Sequence, residues 1–93
     1  MHAMLGTVDI DASRGAEAVA MLHDQLLPMI KQMPGFVGGT WTRSTDGTQG
    51  RSLLVFESEE AAKAAAESAR VGPPPGAPVT FVSAEVFEVV AQA

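Results

Sequence analysis

The sequence predicts an α+β fold in which strands and helices follow in the order β, α, β, β, α, β. Three observations carry this expectation. Two segments repeat apolar residues at helical spacing or carry dense helix formers. Four segments are rich in β-branched and aromatic residues, and Pro and Gly punctuate the breaks.

The first strand is expected over Met1–Ile10 (MHAMLGTVDI), ending where Asp9 and Asp11 disfavour extended pairing. Met4, Val8 and Ile10 share one face, and Ala3, Leu5 and Thr7 the other. Ser13, or alternatively Asp11, is suited to cap the first helix. Its apolar stripe runs through Ala16, Val19, Leu22, Leu26, Ile30 and Met33. Pro28 removes a backbone donor, so a kink or break is expected between Leu27 and Met29. Pro34-Gly35 ends the element.

The second strand is expected over Phe36–Arg43 (FVGGTWTR), where Gly38-Gly39 signals a bulge or a close backbone approach. A turn over Ser44–Gly50, centred on Asp46-Gly47, leads into an antiparallel third strand at Arg51–Glu57. Ser58 caps the second helix, EEAAKAAAESAR. Glu59 and Glu60 in its first turn and Arg70 at its end complement the helix dipole. Gly72–Pro78 (GPPPGAP) is a stiff connector. The last strand is expected over Val79–Val90, with Phe81, Phe87 and Val89 opposing Val82, Val86 and Val90.

This order is the split βαβ pattern of ferredoxin-like folds: a four-stranded antiparallel sheet with two helices on one face. The length of 93 residues suits a single domain, 1–93. Yet 46% of the residues are hydrophobic, which is much for a chain able to bury only ~60–70% of its unfolded surface. In the third strand Leu53 and Val55 point one way, and Leu54 and Phe56 the other. A sheet apolar on both faces needs two covers, and the helices supply one. A homodimer with sheets packed face to face is therefore expected. The alternative is a monomer with an apolar sheet face in water.

The net charge is -5, and the six basic residues are scattered, so nucleic acid is not an expected partner. Without cysteine there is neither a disulfide nor a thiolate metal site. No run approaches the ~18 apolar residues of a membrane span, so no membrane partner is expected. Met1–Ile10 has no basic start or cleavage signal, which makes the cytoplasm the default location.

Two stretches, MPGFVGGTW (Met33–Trp41) and LLVFESEEAAKAAA (Leu53–Ala66), carry a resemblance, together with the element order. The chain resembles the antibiotic biosynthesis monooxygenase (ABM)-like proteins of the dimeric α/β-barrel superfamily, over almost its whole length. The resemblance implies a dimeric α/β barrel with a pocket between helices and sheet in each subunit. That family includes cofactor-independent monooxygenases acting on aromatic polyketides, heme-degrading enzymes, and members without an assigned activity. Its heme-binding members place a histidine in or near the second helix. That segment has none here, so no cofactor is expected.

His23 falls within the apolar arc of the first helix and is expected to face the sheet. There it would accept a proton or bond a ligand oxygen, unless it is a core histidine satisfied by a backbone carbonyl. Trp41 and Arg43 share one strand face. Trp41 suits an aromatic substrate wall or a packing role, and Arg43 an anion contact or a solvated charge. His2 is expected to be exposed. The alanines of the second helix either bring it close to the sheet or leave a gap. A gap lined by Met4, Val19, His23, Ile30, Leu54 and Phe56 would hold a small apolar ligand. No metal-ligand spacing or phosphate loop is present.

Two functions follow. The first is a cofactor-independent monooxygenase or related enzyme. It would desolvate an electron-rich aromatic molecule whose carbanion, formed with help from His23, reduces oxygen. The second is a non-catalytic small-ligand-binding or dimerisation module, favoured by the scarcity of polar groups: Tyr and Asn are both absent.

Overall fold

A computed structural model describes all 93 residues. Its sheet is antiparallel throughout, in the order β2-β3-β1-β4. Strand β1 (His2–Ile10) is central, between β3 (Gln49–Phe56) and β4 (Val79–Glu88), and β2 (Phe36–Arg43) is the edge beside β3. This is the ferredoxin-like topology expected from the element order.

The first helical arm is less regular than its sequence pattern. Asp11, rather than Ser13, caps it, accepting the Ser13 backbone N–H at 3.1 Å and its O–H at 2.6 Å. A 3-10 turn (Ala12–Arg14) leads into helix α1 (Gly15–Met21), then a π turn (Leu22–Leu26), then helix α2 (Leu27–Lys31). Pro28 does not break the arm. It falls in the first turn of α2, where its missing N–H matters least. Just ahead of it the chain widens, and the Leu27 N–H reaches back to the Leu22 carbonyl.

This π turn corrects two expectations. The buried or half-buried stripe is Ala18, Leu22, Leu26, Ile30 and Met33. Extended backwards from Leu26 at α spacing, the stripe would have taken in His23 and Val19. The extra residue of the π turn shifts the phase by one position. His23 is therefore exposed, and Val19 is 40% exposed.

The second expected helix, named α3 (Glu59–Arg70), begins where the Ser58 hydroxyl accepts the Ala61 N–H at 3.1 Å. Its alanines bring it close to the sheet. Ala62, Ala65 and Ala66 are fully buried and form one core with Met4, Ile30, Leu54, Phe56 and Ala84. So four of the six residues expected to line a gap instead pack against one another. The Pro34-Gly35 turn fits the same close approach. Gly35 has φ of 77°, and a Cβ there would lie 3.0 Å from that of Ala61. Its carbonyl accepts the Glu57 N–H at 2.8 Å, fastening the start of β2 to the start of α3.

Both faces of the sheet are apolar. By register, Leu5, Leu53, Val55, Ala3 and Phe87 stand opposite the helices. Leu5, Leu53 and Phe87 are 40%, 45% and 51% exposed. The side assignment expected for the last strand needs correction. The β1–β4 register slips between Thr7 and Val8, leaving Val82 as an extra residue. Phe81 and Val86 consequently share the helix-covered side and pack on the core, instead of opposing each other. In β2 the bulge falls at Val37, one residue before the Gly pair. No helix is long and apolar enough to cross a membrane.

Candidate functional site

Strand pairing sets the side chains of the helix-covered face in rows. One row runs Trp41, Ser52, Gly6, Ala84 across β2, β3, β1 and β4. The next runs Arg43, Gly50, Val8, Phe81. Three of the four side chains in the first row are small, so it forms a furrow that ends at the Trp41 indole. Trp41 is half-buried and packs against the core.

The furrow has a polar floor that sequence reasoning missed. A Cβ on Gly6 would lie only 2.9 Å from the Ser52 Oγ, so the bare Gly6 lets that hydroxyl lie across β1. The only available signal was the small-residue positions in two otherwise apolar strands, and these acquire meaning only once the register is known.

Arg43 is exposed at the end of β2, and its Nη1 lies 3.3 Å from where a Gly15 Cβ would be. The ion pairs of the chain are His2–Glu59, Arg14–Glu17, Lys63–Glu59 and Arg70–Glu67, and none involves Arg43. Neither the Arg43 guanidinium nor the Ser52 hydroxyl makes a hydrogen bond within the chain. Trp41 and Arg43 thus present an aromatic surface and a free cation on one strand face.

The other expected site residues divide. Met4, Ile30, Leu54 and Phe56 form the core beside the furrow, and the Met4 Sδ lies 3.6 Å from the empty Gly6 Cβ position. Val19 and His23 are turned outward and do not join them. His2, expected to be exposed, is half-buried, with its Nε2 3.3 Å from Glu59 Oε2. Two shallow surface grooves lie elsewhere. One, of about 300 Å³, is lined by Lys63, Ala66, Glu67, Arg70 and Val86. The other, of about 390 Å³, separates Met21, Asp24 and Gln25 from the Pro74–Pro78 connector.

The perturbed carboxyls belong to surface turns rather than to the furrow. Hydrogen bonds from Ser13, Arg14, Thr48 and Lys63 hold Asp11, Glu17, Asp46 and Glu59, respectively, below the usual range. No polar or charged side chain is buried, and no three potential metal ligands cluster. The donors present do not fit heme. Helix α3 has no His, Tyr or Cys, His23 faces outward, and His2 is held by Glu59.

No family model matches the chain, and no curated protein matches it by sequence. Solved structures do match. The heme-degrader MhuD from Mycobacterium tuberculosis, with two hemes in its active site, superposes with a TM-score of 0.76 at 23% identity. That match covers 100% of this chain and 99% of the other. The monooxygenase ActVA-Orf6 of Streptomyces coelicolor, in complex with nanaomycin D, gives 0.63 at 20% identity over 99% and 89% of the two chains. HapK from Hahella chejuensis gives 0.71 at 8% identity over 100% and 96%. At these identities the likeness is one of architecture: the chain has the ferredoxin-like fold of MhuD, the ActVA-Orf6 monooxygenase and HapK, the fold expected from the resemblance to ABM-like proteins.

Proposed function

We propose that the protein is a small-molecule enzyme of the cofactor-independent monooxygenase type, acting in the cytoplasm as a homodimer on a planar aromatic substrate. The observation that carries this reading is the pairing of Trp41 with an unpartnered Arg43 on one face of β2, beside the Ser52–Gly6 furrow. A flat ring stacks on the indole, and its oxyanion faces the guanidinium.

The chemistry suited to this arrangement is carried by the substrate. A ring CH2 beside a carbonyl loses a proton to solvent, giving an enolate. The Arg43 charge favours that enolate, and stacking on the Trp41 indole strips water from one face of it. The enolate then reduces O2. The CH2 becomes C=O with one oxygen atom, and the other leaves as water with the two hydrogens. His23, which faces outward, has no part in this step. The fold relatives support the substrate class, since one holds nanaomycin D and another holds two hemes.

The homodimer reading rests on the uncovered sheet face. Leu5, Leu53 and Phe87 are the apolar surface that a second sheet would bury.

One observation favours the second reading, a binding module without turnover: no polar side chain is buried, so no positioned base is on hand. Oxygen uptake with 1,8-dihydroxyanthrone, measured against the uncatalysed rate, separates the two. The enzyme raises the rate, Arg43→Ala lowers it about tenfold, and His23→Ala leaves it unchanged. Saturable binding without uptake identifies the module, and absence of both refutes the site.

A further inference from the structure

We propose that Gly39 is a positioning residue: its missing side chain seats the Trp41 indole and so sets how wide the site opens. The proposal rests on the reading of Trp41 as the ligand-facing wall.

Gly39 and Trp41 are two residues apart on the edge strand β2, so they share the helix-covered side. A Cβ on Gly39 would lie 3.1 Å from Trp41 Cη2, 3.2 Å from Cζ3 and 3.3 Å from the Leu53 carbonyl oxygen. The outer edge of the indole therefore lies back along the strand, over Gly39 and away from Arg43. That posture leaves the space between ring and guanidinium open.

A side chain at this position cannot be absorbed evenly. The Leu53 carbonyl belongs to a backbone held in the paired sheet, where Thr40 faces Leu53. The indole hinges on two side-chain torsions, and it is the group that gives way. Pushed off Gly39, it swings toward Arg43 or across the furrow and narrows the site. Gly38 supplies a contrast. Nothing lies within 4 Å of a Cβ built there, and its register partner Val55 places it on the opposite face.

The chain has one Trp and no Tyr, so emission and near-ultraviolet dichroism report this single indole without a ligand. Gly39→Ala and, more strongly, Gly39→Val are expected to shift both signals, and Gly38→Ala to leave them unchanged. Binding is then compared under nitrogen for a three-ring probe, 1,8-dihydroxyanthrone, and a one-ring probe, resorcinol. Gly39→Val is expected to weaken the three-ring probe about tenfold and the one-ring probe by less than roughly twofold. If Gly39→Val misfolds, Gly39→Ala gives the same ordering with a smaller loss.

A folded Gly39 variant with unchanged emission overturns the seating of the indole. Equal loss for both probes overturns the control of aperture in favour of general destabilisation. A wild-type protein that binds neither probe removes the ligand-wall reading and the aperture with it, whatever the emission shows.

Discussion

The rings of Phe36 and Phe56 meet edge to face, with centroids 5.7 Å apart and planes at 67°. They are register partners where β2 begins, and Phe56 is 0% exposed. Phe56→Ala removes the largest fully buried side chain and the aromatic pair with it. The expected cost is ~3–5 kcal/mol in urea unfolding, with Phe56→Leu costing clearly less. An Ala variant as stable as the parent contradicts the placing of the core.

Gly35 and Gly72 separate two reasons for a glycine. Both have positive φ, 77° and 81°, but only Gly35 meets a neighbour, Ala61. Gly72→Ala is expected to cost about 1 kcal/mol from the backbone alone. Gly35→Ala adds the crowding against α3 and is expected to cost more. Thermal melts of the two variants check the order.

Acid stability depends on the β2–β3 turn. Asp46 accepts the hydroxyls of Thr48 and Ser44, each at 2.7 Å, and the Thr48 N–H at 3.1 Å. These bonds favour the carboxylate and hold its pKa below the ordinary 3.8. A carboxyl lowered on folding contributes stability that is complete above its unfolded value and fades as pH falls through the folded one. The stability gap between wild type and Asp46→Ala is therefore expected to be constant near neutrality and to shrink below pH 3.8. Unfolding curves across that range test the sign.

Leu53 pairs with Leu5 on the open face, and both are near half exposed. Leu53→Arg places a charge where the second sheet would sit. Sedimentation is expected to show a dimer for the parent and a monomer for the variant, with circular dichroism unchanged. A monomeric parent at micromolar concentration refutes the pairing.

The order of elements was legible because turn chemistry marks each boundary: Pro34-Gly35, Asp46-Gly47, Ser58 and the Gly72–Pro78 connector all fall where the chain changes element. The two apolar sides of β3 were legible for the same local reason, strict alternation. What escaped was phase. The π turn and the β4 bulge each insert one residue that neither spacing nor composition announces, whereas the β2 bulge falls one residue before the Gly38-Gly39 pair that signals it. His23 and Val19 were misplaced by the π turn, and the side of Phe81 relative to Val86 and Phe87 by the β4 bulge. Ser52 and Gly6 escaped because they become neighbours only across paired strands.

The π turn also sets how the arm would respond to a change in length. Deleting Asp24 or Gln25 would remove the extra residue and let a plain α-helix run on to Pro28. Ala18 and Leu22 would then keep their side of the arm, and Val19 and His23 would stay outward. A single codon could be lost here without turning the faces of the arm over.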